Sequence, residues 1–294
     1  NLKSQFKLII YLFILLITSN ITIAKNSDKF SNSKDVSNYL SGVLSINDNQ
    51  YQKSYTYLKS LNNLEDSHYI YSQYYQYSLV ALGNLKDAAK YSKKLKDKKI
   101  DNFESNLISA VYYLQDKDFK SATFFLKKLK DKNQPGTFQN LLSTSLNAWI
   151  DFKDLSNLNA ALKALDTIPE RFKNVKNIQK TFVHCYFDSP RSDEIFKQLT
   201  SNPDINYSRY HFFHSNYLIS KGKNEKANEI IQLALSQFPK NLILNQLKLD
   251  FEKRKVSSNE FDCKNISDII AEIFYVTSNA LAAQNNYIAS NFYL

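Results

Sequence analysis

The side chains best suited to chemistry in this 294-residue chain are four histidines and two cysteines. His211 and His214 stand three apart, a helical spacing at which two imidazoles can share a metal. Phe212 and Phe213 lie between them, and no Cys or carboxylate stands beside them at ligand spacing. The pair therefore reads as packing, and no metal is expected. His184 and Cys185 are adjacent. Consecutive helical side chains diverge by about 100°, so these two cannot serve each other as base and nucleophile. His68 falls in an expected turn. No HExxH, CxxC or GxSxG motif occurs. The carboxylates pair with lysines (Asp87 with Lys90, Asp97 with Lys93), as on solvated helix faces. No catalytic residue is expected, so the chain reads as a binder and not an enzyme.

The glycines exclude more. Gly42, Gly83, Gly136 and Gly222 are the only four. A phosphate-cradling loop needs at least two within a few residues, because only Gly lets the backbone come that close at φ > 0. Walker, dinucleotide and kinase loops are absent, and no cofactor is expected.

Charge and the N-terminus bear on compartment. The net charge is +10, with 38 basic residues of which all but Arg171, Arg191, Arg209 and Arg254 are lysine. With abundant Asn, Ile, Tyr and Phe, that bias is the mark of AT-rich codons; attraction to an acidic surface is the functional alternative. The basic run at Lys93, Lys94, Lys96, Lys98 and Lys99 suits a solvated helix C-terminus, and no nucleic acid is expected. Lys3 and Lys7 precede ten apolar residues, Leu8–Ile17, and then Thr22-Ile23-Ala24. That is the pattern of a secretory signal over residues 1–24, followed by a polar linker at 25–34. The expected location is periplasmic or secreted, with an inner-membrane anchor at residues 8–24 as the alternative.

From Asp35 onward the apolar residues recur with helical spacing, and no stretch alternates with period two. The expected fold class is all-α. Three segments, NDNQYQKSYTYLKSL, ALGNLKDAAKYSKKL and LQDKDFKSATFFLKKL, share a period of 34. An aromatic or Leu stands at Tyr51, Leu85 and Phe119; a small residue at Ser54, Ala88 and Ala122; a closing Leu at Leu61, Leu95 and Leu129. The small residue lets two helices of a hairpin approach, and the closing Leu packs on the next hairpin. Units that cannot bury a face alone then share one continuous core.

This pattern resembles the tetratricopeptide repeat (TPR). The fullest match is RYHFFHSNYLISKGKNEKANEIIQLALSQFPKN, with Gly222 in the turn, Ala227 and Ala234 at the small positions and Pro239 at the end. The Trp-Leu-Gly start of the family is missing, although Gly42 stands in the Gly column. The closing segment AEIFYVTSNALAAQNNYIASNFYL resembles exported alphaproteobacterial TPR proteins. The resemblance implies a right-handed superhelical solenoid. Three repeats cover 35–136, degenerate hairpins 137–207 (138–166 and 176–200), a further repeat 208–241, and a helix, loop and truncated hairpin 242–294.

The resemblance also implies a concave, protein-binding face. By register it takes Tyr39, Val43, Tyr77 and Val80, then Val111 and Leu114, then Arg209, Phe212 and Asn216. Tyr39 and Val43 fill the columns of the carboxylate clamp of chaperone-binding relatives, so an acidic C-terminal peptide is not expected. The expected function is an exported scaffold for protein or peptide partners in the bacterial cell envelope. The alternative is the helical arm of a lytic transglycosylase-like enzyme whose catalytic part follows Leu294. The absent Met and the uncapped apolar tail are read as signs of a fragment.

Cys185 and Cys263 are 78 residues apart, about two repeats. Packed helix layers lie roughly 8–10 Å apart. A linear stack would hold the two cysteines on the order of 20 Å apart, beyond the reach of a disulfide. They are expected to be unpaired and buried.

Overall fold

A computed structural model describes residues 33–61, 63–130, 137–151, 157–201, 206–253 and 261–294. The expected signal segment and Gly136 lie outside the described residues. Among those residues every regular element is helical. The chain divides into two units, one ending at Asn84 and one beginning at Leu85.

The first unit holds α1 (Ser33–Asn47), α2 (Tyr51–Lys59), a short 3-10 turn and α3 (Tyr69–Ala81). Leu58, Leu61, Leu64 and Tyr71 make its core, with Tyr39, Tyr74 and Tyr75 packed against it. Gly42 is required here: a Cβ on it would lie 2.6 Å from Leu58 Cδ2. Any side chain would force the buried Leu58 to move. The Tyr71 hydroxyl donates to the Leu58 carbonyl at 3.0 Å, so its buried polar end is satisfied.

The second unit runs through α4 (Leu85–Asp97), α5 (Phe103–Gln115), α6 (Phe119–Lys130), α7 (Phe138–Asp151), α8 (Leu158–Leu165) and α9 (Lys173–Tyr186). It continues through α10 (Ser192–Thr200), α11 (Ser208–Ser220), α12 (Asn224–Gln237), α13 (Leu242–Glu252), α14 (Ile266–Ala282) and α15 (Tyr287–Tyr293). Asparagine starts many of them. Asn102, Asn157, Asn241, Asn265 and Asn286 each accept a backbone N–H of the first turn, and Asn102 forms a full capping box with Ser105.

One turn recurs at the C-termini of α1, α3, α5, α9, α11 and α14. Asn49, Gly83, Lys117, Asp188, Gly222 and Asn285 all have positive φ there. The next N–H reaches back five residues: Gln50 to Ser45, Asn84 to Leu79, Asp118 to Tyr113, Ser189 to His184, Lys223 to Leu218 and Asn286 to Leu281, at 2.7–3.0 Å. This is the Schellman closure, which satisfies carbonyls a helix end leaves open. Lys99 at the end of α4 makes the same turn, with the Ile100 N–H reaching Leu95 at 3.0 Å, and three of the sites, 49, 83 and 117, fall 34 residues apart. The small residues that follow are buried: Ser54, Ala88, Ala122 and Ala227 at 0% exposure and Ser290 at 6%. Leu61, Leu95 and Leu129 are buried as well.

From α4 to α13 each helix packs against its neighbour in sequence. The order then breaks. α14 packs back against α7 and α9. This return corrects the expectation for the cysteines. Cys185 and Cys263 are joined by a disulfide with their Cα atoms 5.9 Å apart. The estimate of a wide separation assumed that the chain keeps moving along the stack, whereas after α13 it doubles back to the end of α9.

Candidate functional site

In the first unit, Tyr39, Val43 and Val80 are half-buried and Tyr77 is buried. Tyr39 packs its ring 4.7 Å from His68, and Tyr77 accepts a hydrogen bond from Gln73 at 3.2 Å. In the second unit, Val111 and Leu114 on α5 are half-buried. α11 brings Arg209, Phe212 and Asn216 together on one helix, and Phe212 and Asn216 are buried.

Arg209 is already engaged. Its Nε donates to Glu272 Oε2 on α14 at 2.7 Å, and the Tyr210 hydroxyl donates to Oε1 at 3.0 Å. The guanidinium lies 4.3 Å from the centre of the Tyr275 ring and 4.9 Å from that of Phe213. Glu272 is 2% exposed. Burial pushes its carboxyl above the ordinary carboxylate range, against the pull of Arg209 and Tyr210. At the end of α15, burial and then the nearby carboxylate of Glu104 on α5 raise the Tyr293 phenol. The α14–α15 pair thus meets α5, α7, α9 and α11, the leading members of their helix pairs.

The root of this arm is held most densely. Beside the disulfide, Phe261 stacks on Phe213 at 4.0 Å and tilts against Phe182 at 4.8 Å. Lys264 meets Asp188 at 2.7 Å and also donates to the Tyr186 carbonyl. Lys221 pairs with the other Asp188 oxygen, and the two ammoniums hold the Asp188 carboxyl below its usual range. Beneath this lid lies a cleft of about 500 Å³, lined among others by Phe213, Asn216, Lys221, Phe261, Cys263 and Asp268.

The histidines are packed. His214 is fully buried, its ring stacked on Phe196 at 4.8 Å and its Nε2 2.7 Å from Asp193 Oδ1. The carboxylate only accepts, so Nε2 carries the proton. Burial holds the His214 pKa at about 4, against Asp193, which raises it. His184 has no thiol beside it, because Cys185 is in the disulfide.

Sequence reasoning missed Glu272, Tyr275, Phe261 and Asp188. Each acts across tens of residues. One sign was readable: beyond its first turn, α14 is apolar apart from small polar residues, and Glu272 is its single charge. A lone acid in such a setting implies a buried partner. A scan against protein-family models gives no match, and neither does a search of curated proteins.

Proposed function

We propose that this chain is an exported, TPR-like scaffold that binds protein or peptide partners in the bacterial cell envelope. The observation that carries the reading is the recurrence, at 34-residue intervals, of one left-handed turn residue, one buried small residue and one buried closing Leu. Hairpins built to one rule stack into solenoids, whose concave rows are binding surfaces. The Cys185–Cys263 disulfide supports the exported location, since such bonds persist in oxidising compartments. Among the described residues no helix is long and apolar enough to cross a membrane.

The surface for a partner is narrowed by the arm, because Arg209 is bound to Glu272. Val43, Val80, Val111 and Leu114 remain half-buried. Photo-crosslinking amino acids at those four sites should trap a partner in envelope preparations. Probes at Lys90 and Glu229, exposed on α4 and α12, should not. Equal trapping from both sets would reject the concave-face assignment.

A further inference from the structure

The lysine run at the end of α4 meets a second basic helix in the structure. Lys96 on α4 places its Nζ 4.9 Å from the ring centre of Phe124 and 5.1 Å from that of Phe125, both on α6. Lys128, one turn beyond Phe124, stands 5.3 Å from the same Phe124 ring and also reaches Asp101 at 3.5 Å. The two helices therefore share one surface within the second unit.

The extent of that surface follows from helical spacing. Lys120, Phe124, Lys127 and Lys128 stand at i, i+4, i+7 and i+8, on one face of α6. Lys93 stands three residues before Lys96, on the same side of α4. Lys93, Lys120 and Lys127 are exposed and form no ion pair with a described residue. Over residues 85–99 and 119–130 the sequence carries eleven lysines against two acids, Asp87 and Asp97. The charge is thus local to these two helices and far from balanced.

Lysines alone would suit any polyanion. The ring in their midst narrows the choice, because Phe124 is 49% exposed. An apolar ring among ammoniums matches the boundary where acyl chains meet charged headgroups. An anionic leaflet attracts each nearby lysine and gives the ring an apolar medium. We infer that this face of α4 and α6 docks on a bilayer with anionic headgroups, the lysines meeting the phosphates and Phe124 entering the acyl boundary. The inference does not rest on the scaffold reading, whose partner sites at Val43, Val80, Val111 and Leu114 lie on α1, α3 and α5.

The full chain is tested with vesicles of phosphatidylcholine alone and of phosphatidylcholine mixed in equal parts with phosphatidylglycerol. Cosedimentation should show stronger binding to the anionic vesicles, and added salt should reduce that gain. The apolar run Leu8–Ile17 favours both kinds of vesicle, so the decisive comparison is between wild type and variants. Joint Lys120→Gln and Lys127→Gln should reduce the gain roughly twenty-five-fold, since each lysine near such a surface contributes about fivefold. Both positions are exposed, so folding should not suffer. Phe124→Trp reports locally, because Trp149 is fully buried and gives a constant background. Brominated acyl chains in anionic vesicles should quench the new indole and should not quench one placed by Glu229→Trp on α12. No anionic gain, an unchanged gain in the lysine variant, or equal quenching at 124 and 229 overturns the inference. So does binding of dextran sulfate, a polyanion without acyl chains, if Phe124→Ser leaves the vesicle gain unchanged; the partner is then an acidic polymer.

Discussion

Helices α4–α6 and the returning arm α14–α15 are built on opposite principles. The first set repeats one local rule: a left-handed turn, a small residue, a closing Leu, with neighbours close in sequence. The arm uses its own copy of the turn at Asn285 and of the small residue at Ser290. Its attachment is unique, however: one disulfide, one buried carboxylate and one stacked phenylalanine. Redundant local rules spread stability thinly over many residues. A long-range attachment concentrates it in a few.

Substitutions should expose that difference. Arg209→Ala should cost about 2–4 kcal/mol, because buried Glu272 loses its charged partner and keeps only Tyr210. Hydrogen exchange should then accelerate in Ile266–Tyr293 while α4–α6 keep their protection; uniform loss would deny the arm its separate attachment. Cys185→Ala should cost about 2–4 kcal/mol by releasing a loop closed over a separation of 78 residues, read as a lower denaturant midpoint. His214 sets a pH dependence. Its folded pKa of about 4 lies below the ordinary imidazole value of about 6.5, so the unfolded chain takes the proton first. Its contribution is therefore full above pH 6.5 and is lost as pH falls towards 4, a change of about 2–3 kcal/mol. Between pH 6.5 and 4 the unfolding free energy of the wild type should fall by about this much more than that of His214→Phe. Equal falls would place the proton elsewhere. The smallest effect belongs to the repeated region. Lys117→Gly should stabilise by at most about 1 kcal/mol, since Lys117 holds φ 59° at a turn that glycine adopts without strain. A loss there would mean that the Lys117 side chain contributes more than its backbone costs.

Sequence and structure agree where the physics is local. The all-helical class followed from apolar spacing, and the 34-residue columns were visible because each marks one close approach. Among the left-handed turns, the one at Gly222 was legible in the sequence. The same geometry at Asn49, Lys99, Lys117, Asp188 and Asn285 is hidden because non-glycine residues carry no sign of left-handed backbone. The cysteine pairing failed for a different reason. Distance was inferred from position along a stack, and the reversal after α13 depends on contacts that no local pattern encodes. Asn216 lies on a helix that apolar spacing predicts, but its burial without a hydrogen-bond partner emerges only with the neighbours in place. Phe212 was read as a groove residue, yet at 8% exposure it is part of the core.

The disulfide also changes the connectivity of the molecule. Helices α10–α13 lie between Cys185 and Cys263, so they belong to a covalently closed ring. A protease that severs one peptide bond within that ring leaves both pieces attached. A nicked molecule would migrate as one species until a reductant is added and as two afterwards, so peptide-bond integrity and covalent integrity are separate properties of this chain.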